Sequence, residues 1–271
     1  MGNYDSSEKY RERRGRALVT GASSGIGKAF VERLAREKYD LIIVARNRER
    51  LIQIAEQFGS KYGVEIEILC ADLSNDSERR IVEEKVAGEP NLELLVNNAG
   101  FATIGRFAEL DIDREESEIG VNVLAVVKLT RAVLPGMISR GHGAVINVSS
   151  VEAFMPDPYN ATYGATKSYV KFFTEALSEE LRGTGVRIQV LCPGFTRTEF
   201  QERAGIDASE ISSFAWMTPE AVVDASLSCL RRGKIICIPG LINKILVAIV
   251  QVFPGFLVRR FTGVAMKRLL P

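Results

Sequence analysis

At 271 residues, 46% of them hydrophobic, the chain can build one large α/β domain or two ordinary ones around a well-filled core. Its 35 basic and 34 acidic residues nearly cancel, which removes the electrostatic case for a nucleic-acid partner or a polyanionic substrate. Cys70, Cys192, Cys229 and Cys237 lie far apart with no CxxC pair, and His142, in a glycine-flanked loop, is the one histidine. No metal site is expected, and the cysteines read as reduced core thiols in a cytoplasmic setting.

Residues 1–14 are polar, carry no apolar run of secretory length, and are expected to be disordered. Met1-Gly2 with Ser6 has the spacing of an N-myristoylation signal, a short pattern that an ordinary solvated start satisfies equally well. Beyond them, β-branched runs at 17–20, 40–45, 65–70, 92–96, 144–148, 186–191 and 234–238 alternate with longer helical patterns. Most of these runs are apolar on both alternating faces, as expected of parallel strands covered above and below, and the intervals suit right-handed crossovers. The fold expected is α/β: a Rossmann-type doubly wound, seven-stranded parallel sheet with helices on both faces. No repeat or linker divides it, so 15–240 reads as a single domain. Within it, 198–217 breaks the alternation yet carries Phe200, Phe214 and Trp216, the composition of a mobile flap over a substrate pocket.

The first strand runs into Thr20-Gly21-Ala22-Ser23-Ser24-Gly25-Ile26-Gly27 and then a helical pattern with Phe30, Leu34 and Ala35 on one face. Gly21 permits the sharp turn, Gly25 lets a pyrophosphate approach bare backbone, and Gly27 lets the helix pack on the sheet, so free N–H groups meet an anion. The spacing is Gly-x3-Gly-x-Gly, and a glycine cluster alone is also an ordinary βα turn. The second strand ends in Arg46-Asn47-Arg48, where dinucleotide sites that take NAD place an acid for the ribose hydroxyls. Arg46 instead offers fixed donors to a 2′-phosphate, with Arg48 or Lys28 as helpers, which points to NADP(H); the alternative is that these arginines only solvate the next helix. Asp72 stands where it can accept from an adenine amino group. Asn97-Asn98-Ala99-Gly100 follows the fourth strand, at the carboxyl edge where such sheets bind ligands.

Tyr163 and Lys167 stand one helical turn apart, so their side chains share a face. A phenol with pKa near ~10 seldom ionises at neutral pH, and a neighbouring ammonium is expected to lower that value. Ser149 and Ser150 close the strand before this helix, and the Ser150 hydroxyl can hold a carbonyl oxygen beside Tyr163 for hydride attack from a nicotinamide.

Together these residues resemble the short-chain dehydrogenase/reductase family. TGASSGIG, the ADL of 71–73, NNAG, Asn122 in VNVLA, NVSS, YGATK and Pro193-Gly194 occur in the order and approximate spacing of that family, over about 18–238. The resemblance implies a carbonyl reductase or alcohol dehydrogenase, commonly a dimer or tetramer. It implies that Ser150 positions substrate, that Tyr163 donates or accepts the proton, and that Lys167 binds the nicotinamide ribose. Asn122 would hold a water of the proton relay; Leu73 would line the cofactor; Pro193, Gly194 and Thr196 would flank the nicotinamide.

The segment 241–271 departs from the family pattern. After Asp224 there is no acidic residue, and Ile242, Ile245, Leu246, Ile249 and Phe253 recur at helical spacing. The apolar run is too short and too broken by Pro254-Gly255 to span a bilayer. It is expected to form a basic, hydrophobic helical tail that packs on the domain or a second subunit, or lies on a membrane, with a lipophilic substrate entering beneath it. A non-catalytic cofactor sensor that uses this tail to contact a partner is the other reading left open.

Overall fold

The computed structural model describes residues 14–205 and 212–269. The myristoylation pattern and all of the expected disordered segment except Arg14 lie outside them. Arg14 itself is tied down, its Nη1 donating to Glu37 Oε2 at 3.1 Å.

Seven strands form one parallel sheet: β1 (Arg16–Thr20), β2 (Asp40–Ala45), β3 (Ile66–Cys70), β4 (Leu92–Asn97), β5 (Gly143–Val148), β6 (Val186–Leu191) and β7 (Ile236–Cys237). Their order is β3-β2-β1-β4-β5-β6-β7, so the winding reverses between β1 and β4 and opens a crevice at their carboxyl ends. Every pairing is parallel. β7 is shorter than its apolar run suggested because, at the sheet edge, only Ile236 and Cys237 find ladder partners, on Val190 and Leu191.

Side-chain alternation divides the core into two layers. On one face Val19, Ile43 and Val96 meet α1 (Gly25–Arg36), α2 (Arg48–Tyr62) and α8 (Pro219–Arg231) through Phe30, Leu51 and Val222. On the other, Leu18, Ile42 and Leu95 meet α3 (Asp76–Ala87), α5 (Val126–Arg140) and α6 (Ala161–Glu180). α4 (Ile112–Ile119) runs into α5 through a π-helical segment, Gly120–Ala125, that contains Asn122. The continuous helix Ile112–Arg140 is long and apolar enough to cross a membrane, but half of its apolar window is buried in the domain.

One sequence expectation changes here, and one open alternative narrows. The four cysteines are free, but Cys70 is exposed and Cys229 half-buried; only Cys192 and Cys237 are core residues. Cys70 ends β3 on the outer edge of the sheet, where no further strand covers it. The tail forms α9 (Leu241–Val252) and α10 (Gly255–Leu269), yet it does not bury its apolar stripe on the domain. Asn243 and Val247 face inward, whereas Ile242, Ile245, Leu246, Ile249 and Phe253 remain 41–52% exposed. One helix can press only one side against one surface, and α9 is apolar on nearly all sides.

Candidate active site

The glycine turn is closed by side chains from the strand across the switch point. Thr20 Oγ1 accepts from the backbone N–H of Asn98 and of Ala99, both at 2.9 Å, and Asn98 Nδ2 donates to Thr20 O at 2.9 Å. Gly21 and Gly25 have φ of 65° and 53°, in the left-handed region. A Cβ on Gly27 would overlap the carbonyl oxygen of Gly21. Ser24 precedes α1 without capping it through its side chain, which leaves the helix's first N–H groups and its positive end directed at the crevice. Bare backbone, an uncapped helix start and the partly buried Ser23 and Ile26 around them fit a pyrophosphate.

Arg46 is 71% exposed at the end of β2, with Nη1 3.6 Å from Asp72 Oδ2. Asn47 is committed elsewhere: its side chain caps α2 by accepting from Arg50 N at 2.9 Å. Burial raises the Asp72 pKa, but hydrogen bonds from Ser74 and the charge of Arg46 outweigh it and hold the carboxyl below the usual aspartate value. Arg46 thus keeps most of its guanidinium free while Asp72 stays ionised, with buried Leu73 beside it. Residues following β6 lie over the same end: Arg50 donates to Glu199 Oε2 at 2.8 Å, and a Cβ on Gly25 would lie 2.9 Å from Thr198 Cγ2.

Ser150, Tyr163, Lys167 and Asn122 are all buried and all meet at the carboxyl edge. Ser150 ends the strand segment and caps a 3-10 turn, Val151–Phe154, by accepting from Glu152 N; its hydroxyl is near enough to the Tyr163 phenol to pull the phenol pKa down in part. Lys167 Nζ sits 5.3 Å from the Tyr163 ring centroid and donates to Val148 O at 3.1 Å. Asn122 donates through Nδ2 to Phe101 O and Thr166 Oγ1, and its Oδ1 accepts from Phe101 N. Gly100 keeps clear the space between two of these groups, since a Cβ there would come 2.9 Å from Asn122 Oδ1 and 3.2 Å from Lys167 Nζ. Pro193 O accepts from Val151 N, and buried Thr196 donates to Gly194 O at 3.0 Å, which fixes the loop after β6 beside Ser150. From the flap, the Phe200 ring lies 5.6 Å from that of Tyr163.

The phenol pKa lies above its ordinary value in this structure, because burial and nearby acids outweigh whatever Lys167 contributes. Burial, followed by the charges of Glu152, Glu118 and Asp157, pushes Tyr163 well above the usual phenol value, and the Ser150 hydroxyl opposes this only in part. Burial also brings the Lys167 amine down to about 8. The phenol is therefore held protonated.

The carboxyls responsible were not singled out from the sequence. Thr103 Oγ1 lies between Glu115 and Glu118 of α4, 2.6 Å from Glu118 Oε2, which also accepts from Thr103 N at 2.8 Å. Glu118 Oε1 is buried with no hydrogen-bond partner, and burial lifts the group to about 7. Asn160 Nδ2 donates to both Glu152 and Asp157, 3.0 Å each, holding two acids together whose shared burial raises both. The available signal was positional: Glu118 precedes Asn122 by four residues and shares its face.

Comparison with known proteins places these features in a family. The short chain dehydrogenase family model matches residues 16–208. The very-long-chain 3-oxoacyl-CoA reductase of Rattus norvegicus is 33% identical over 239 residues, 85% of this chain and 75% of its own length. With other animal reductases of the same name, the aligned share of the relative falls to 60%. A short-chain dehydrogenase from Sphingobium yanoikuyae, solved in complex with NADPH, superposes with a TM-score of 0.80 at 34% identity, covering 89% of this chain and 96% of that one. A 7beta-hydroxysteroid dehydrogenase gives 0.84 at 30%, covering 94% and 98%.

Proposed function

The chain belongs to the short-chain dehydrogenase family and is an oxidoreductase of the carbonyl–alcohol pair; on that premise we propose that it reduces a lipophilic ketone or aldehyde with NADPH, using Tyr163 as the proton donor. The observation that carries this reading is the convergence of buried Ser150, Tyr163 and Lys167 at the carboxyl edge, with Lys167 Nζ 5.3 Å from the Tyr163 ring and the phenol held protonated by burial.

A nicotinamide cofactor held at this edge would supply the hydride. Ser150 and Tyr163 hydroxyls receive the substrate carbonyl oxygen. As hydride adds to the carbonyl carbon, the π pair moves to oxygen, Tyr163 transfers its proton there, and an alcohol and a phenolate result. The Lys167 ammonium, below its pKa of about 8, stabilises that phenolate and holds the ribose. Reprotonation is assigned to a relay past Asn122 Oδ1, across the space that Gly100 keeps clear. Oxidation of an alcohol runs the same steps backward.

For the cofactor, we assign the pyrophosphate to the turn of Gly21, Ser23, Ser24, Gly25, Ile26 and Gly27, and the 2′-phosphate to Arg46 with Asn47 beside it. Asp72 and Leu73 take the adenine end. Asn98, Ala99 and Gly100 line the middle, and Pro193, Gly194 and Thr196 flank the nicotinamide. The exposed Arg46 guanidinium favours NADP(H) over NAD(H).

A lipophilic substrate is supported by the aromatic wall of the flap, where Phe200 faces Tyr163 and Phe195 lies 5.7 Å from Trp216. The names of the reductase and hydroxysteroid relatives point the same way. A dimer or tetramer has a candidate surface in Tyr169 and Phe172, exposed on α6. Free thiols throughout suit a reducing compartment such as the cytoplasm. A cofactor sensor without turnover gives the Ser150–Tyr163–Lys167 set no task.

The test is NADPH or NADH consumption over a carbonyl panel of long-chain 3-oxoacyl thioesters, steroid ketones and short hydrophilic ketones. The reading expects NADPH-dependent turnover of the apolar members. Faster turnover of the hydrophilic ketones would remove the substrate class, and no turnover anywhere would favour the sensor.

A further inference from the structure

The C-terminal hairpin is fixed to the domain with its apolar side outward. Asn243 and Val247, one turn apart, bury the inner face of α9; Val258 does so for α10, and Thr262 Oγ1 donates to Pro156 O at 3.0 Å. Opposite them, Leu241, Ile245, Ile249 and Val252 on α9 and Phe256 and Phe261 on α10 are exposed, Val252 to 83%. Six large apolar side chains exposed on two successive helices are more than scattered surface residues and mark an interaction site.

Charge decides between occupants. Residues 225–271 contain no Asp or Glu, while Lys244, Arg259, Arg260, Lys267 and Arg268 belong to the two helices, and the first four of these are exposed. A second copy on a two-fold axis would set this basic surface against itself, at a cost from like charges. A leaflet with anionic headgroups supplies an apolar layer and the opposite sign together. The twelve residues of α9 extend roughly 18 Å at ~1.5 Å per residue, short of a ~30 Å hydrocarbon core, so the helix lies along such a surface and does not cross it.

We propose that the α9–α10 hairpin docks this protein in the plane of an anionic lipid membrane, its exposed apolar side chains in the acyl boundary and its basic side chains among the headgroups. The hairpin borders the site: α9 packs on the turn Val151–Phe154 that follows Ser150, and Gly263 of α10 lies against Pro158. Given the lipophilic substrate proposed above, docking would turn its entrance toward the lipid.

The test is flotation of the full chain with vesicles of phosphatidylcholine alone and with about 30% phosphatidylglycerol added. The protein is expected to float with the anionic vesicles at least roughly tenfold more than with the zwitterionic ones, and less in about 0.5 M salt. Ile245→Asp with Ile249→Asp should abolish flotation, and Arg259→Glu with Arg260→Glu should lower it roughly tenfold. Thermal melts verify that these surface variants fold; Val252→Asp serves if the first pair does not accumulate. Absence from the anionic vesicle fraction, or flotation indifferent to both pairs, overturns the proposal. So does a soluble dimer that Ile245→Asp dissociates, which would assign the face to a second copy. Vesicle binding needs no turnover, so its failure and a failure of the catalytic reading are separate results.

Discussion

Gly194, in the loop that borders Ser150, and Asn243, on the first turn of α9, pack so closely that a Cβ on Gly194 would fall 2.7 Å from Asn243 Nδ2 and overlap its Oδ1. Asn243 is itself held by donating to Pro239 O at 2.8 Å. One of the contacts by which the tail reaches the edge of the site is thus a polar side chain against a glycine.

This contact sets the cost of a single methyl group. Gly194→Ala should lower the melting temperature and cut kcat/KM roughly tenfold, because neither the loop nor Asn243, held by Pro239 O, can retreat freely. Adding Asn243→Ala should restore much of both losses. A double variant no better than the single would disprove the coupling, with melts and steady-state rates as the readouts.

Glu118 should make stability pH-dependent with a definite sign. Its pKa is raised from 4.5 to about 7 by burial, so the folded chain binds the proton more tightly than the unfolded chain. Stability from this group is present below about 4.5 and lost as pH rises through about 7. Glu118→Gln should consequently be more favourable, relative to the parent, at pH 8 than at pH 4.5, by on the order of 3 kcal/mol. Urea unfolding at the two pH values checks this, and an equal difference at both would contradict it.

Arg46 should govern the choice of cofactor. Arg46→Asp should lower the ratio of kcat/KM with NADPH to that with NADH by roughly tenfold to a hundredfold, the scale of lost hydrogen bonds to a charged group. An unchanged ratio would remove Arg46 from the 2′-phosphate site.

The Lys167 amine should set the upper pH limit of reduction. With a pKa lowered to about 8 by burial, it is a cation below that pH and neutral above it. kcat/KM for carbonyl reduction should fall as pH rises through about 8, and Lys167→Arg, which keeps its charge, should move that limb upward in whatever activity it retains. A profile flat from pH 7 to 10 would contradict this.

Most of the sheet was legible because buried parallel strands are spelled by unbroken runs such as Asp40–Ala45, LIIV flanked by chain reversals. Tyr163 and Lys167 were legible because one helix carries both, and Ser150 because it ends a strand at the same edge. The acids around Tyr163 were not. Glu115 and Glu118 stand in a charged run that reads as a solvated face, and they are buried by partners distant in sequence, Thr103 from the loop after β4 and Thr162 of α6. Cys70 misled because an apolar strand does not announce that its last residue sits on an outer edge. For the tail, helical spacing reveals an apolar stripe but carries no information on what covers it, which is why the domain, a second subunit and a membrane all stayed open until the stripe was found exposed.

The central claim is that the buried Tyr163 hydroxyl donates the proton in carbonyl reduction, and Tyr163→Phe tests it most directly. Stopped-flow consumption of NADPH with the best carbonyl substrate should fall by roughly 10²–10⁴-fold. NADPH affinity, read by cofactor fluorescence, should stay within about threefold, since the phenol hydroxyl is aimed at substrate. A variant that reduces the carbonyl within about twofold of the parent rate would contradict the account.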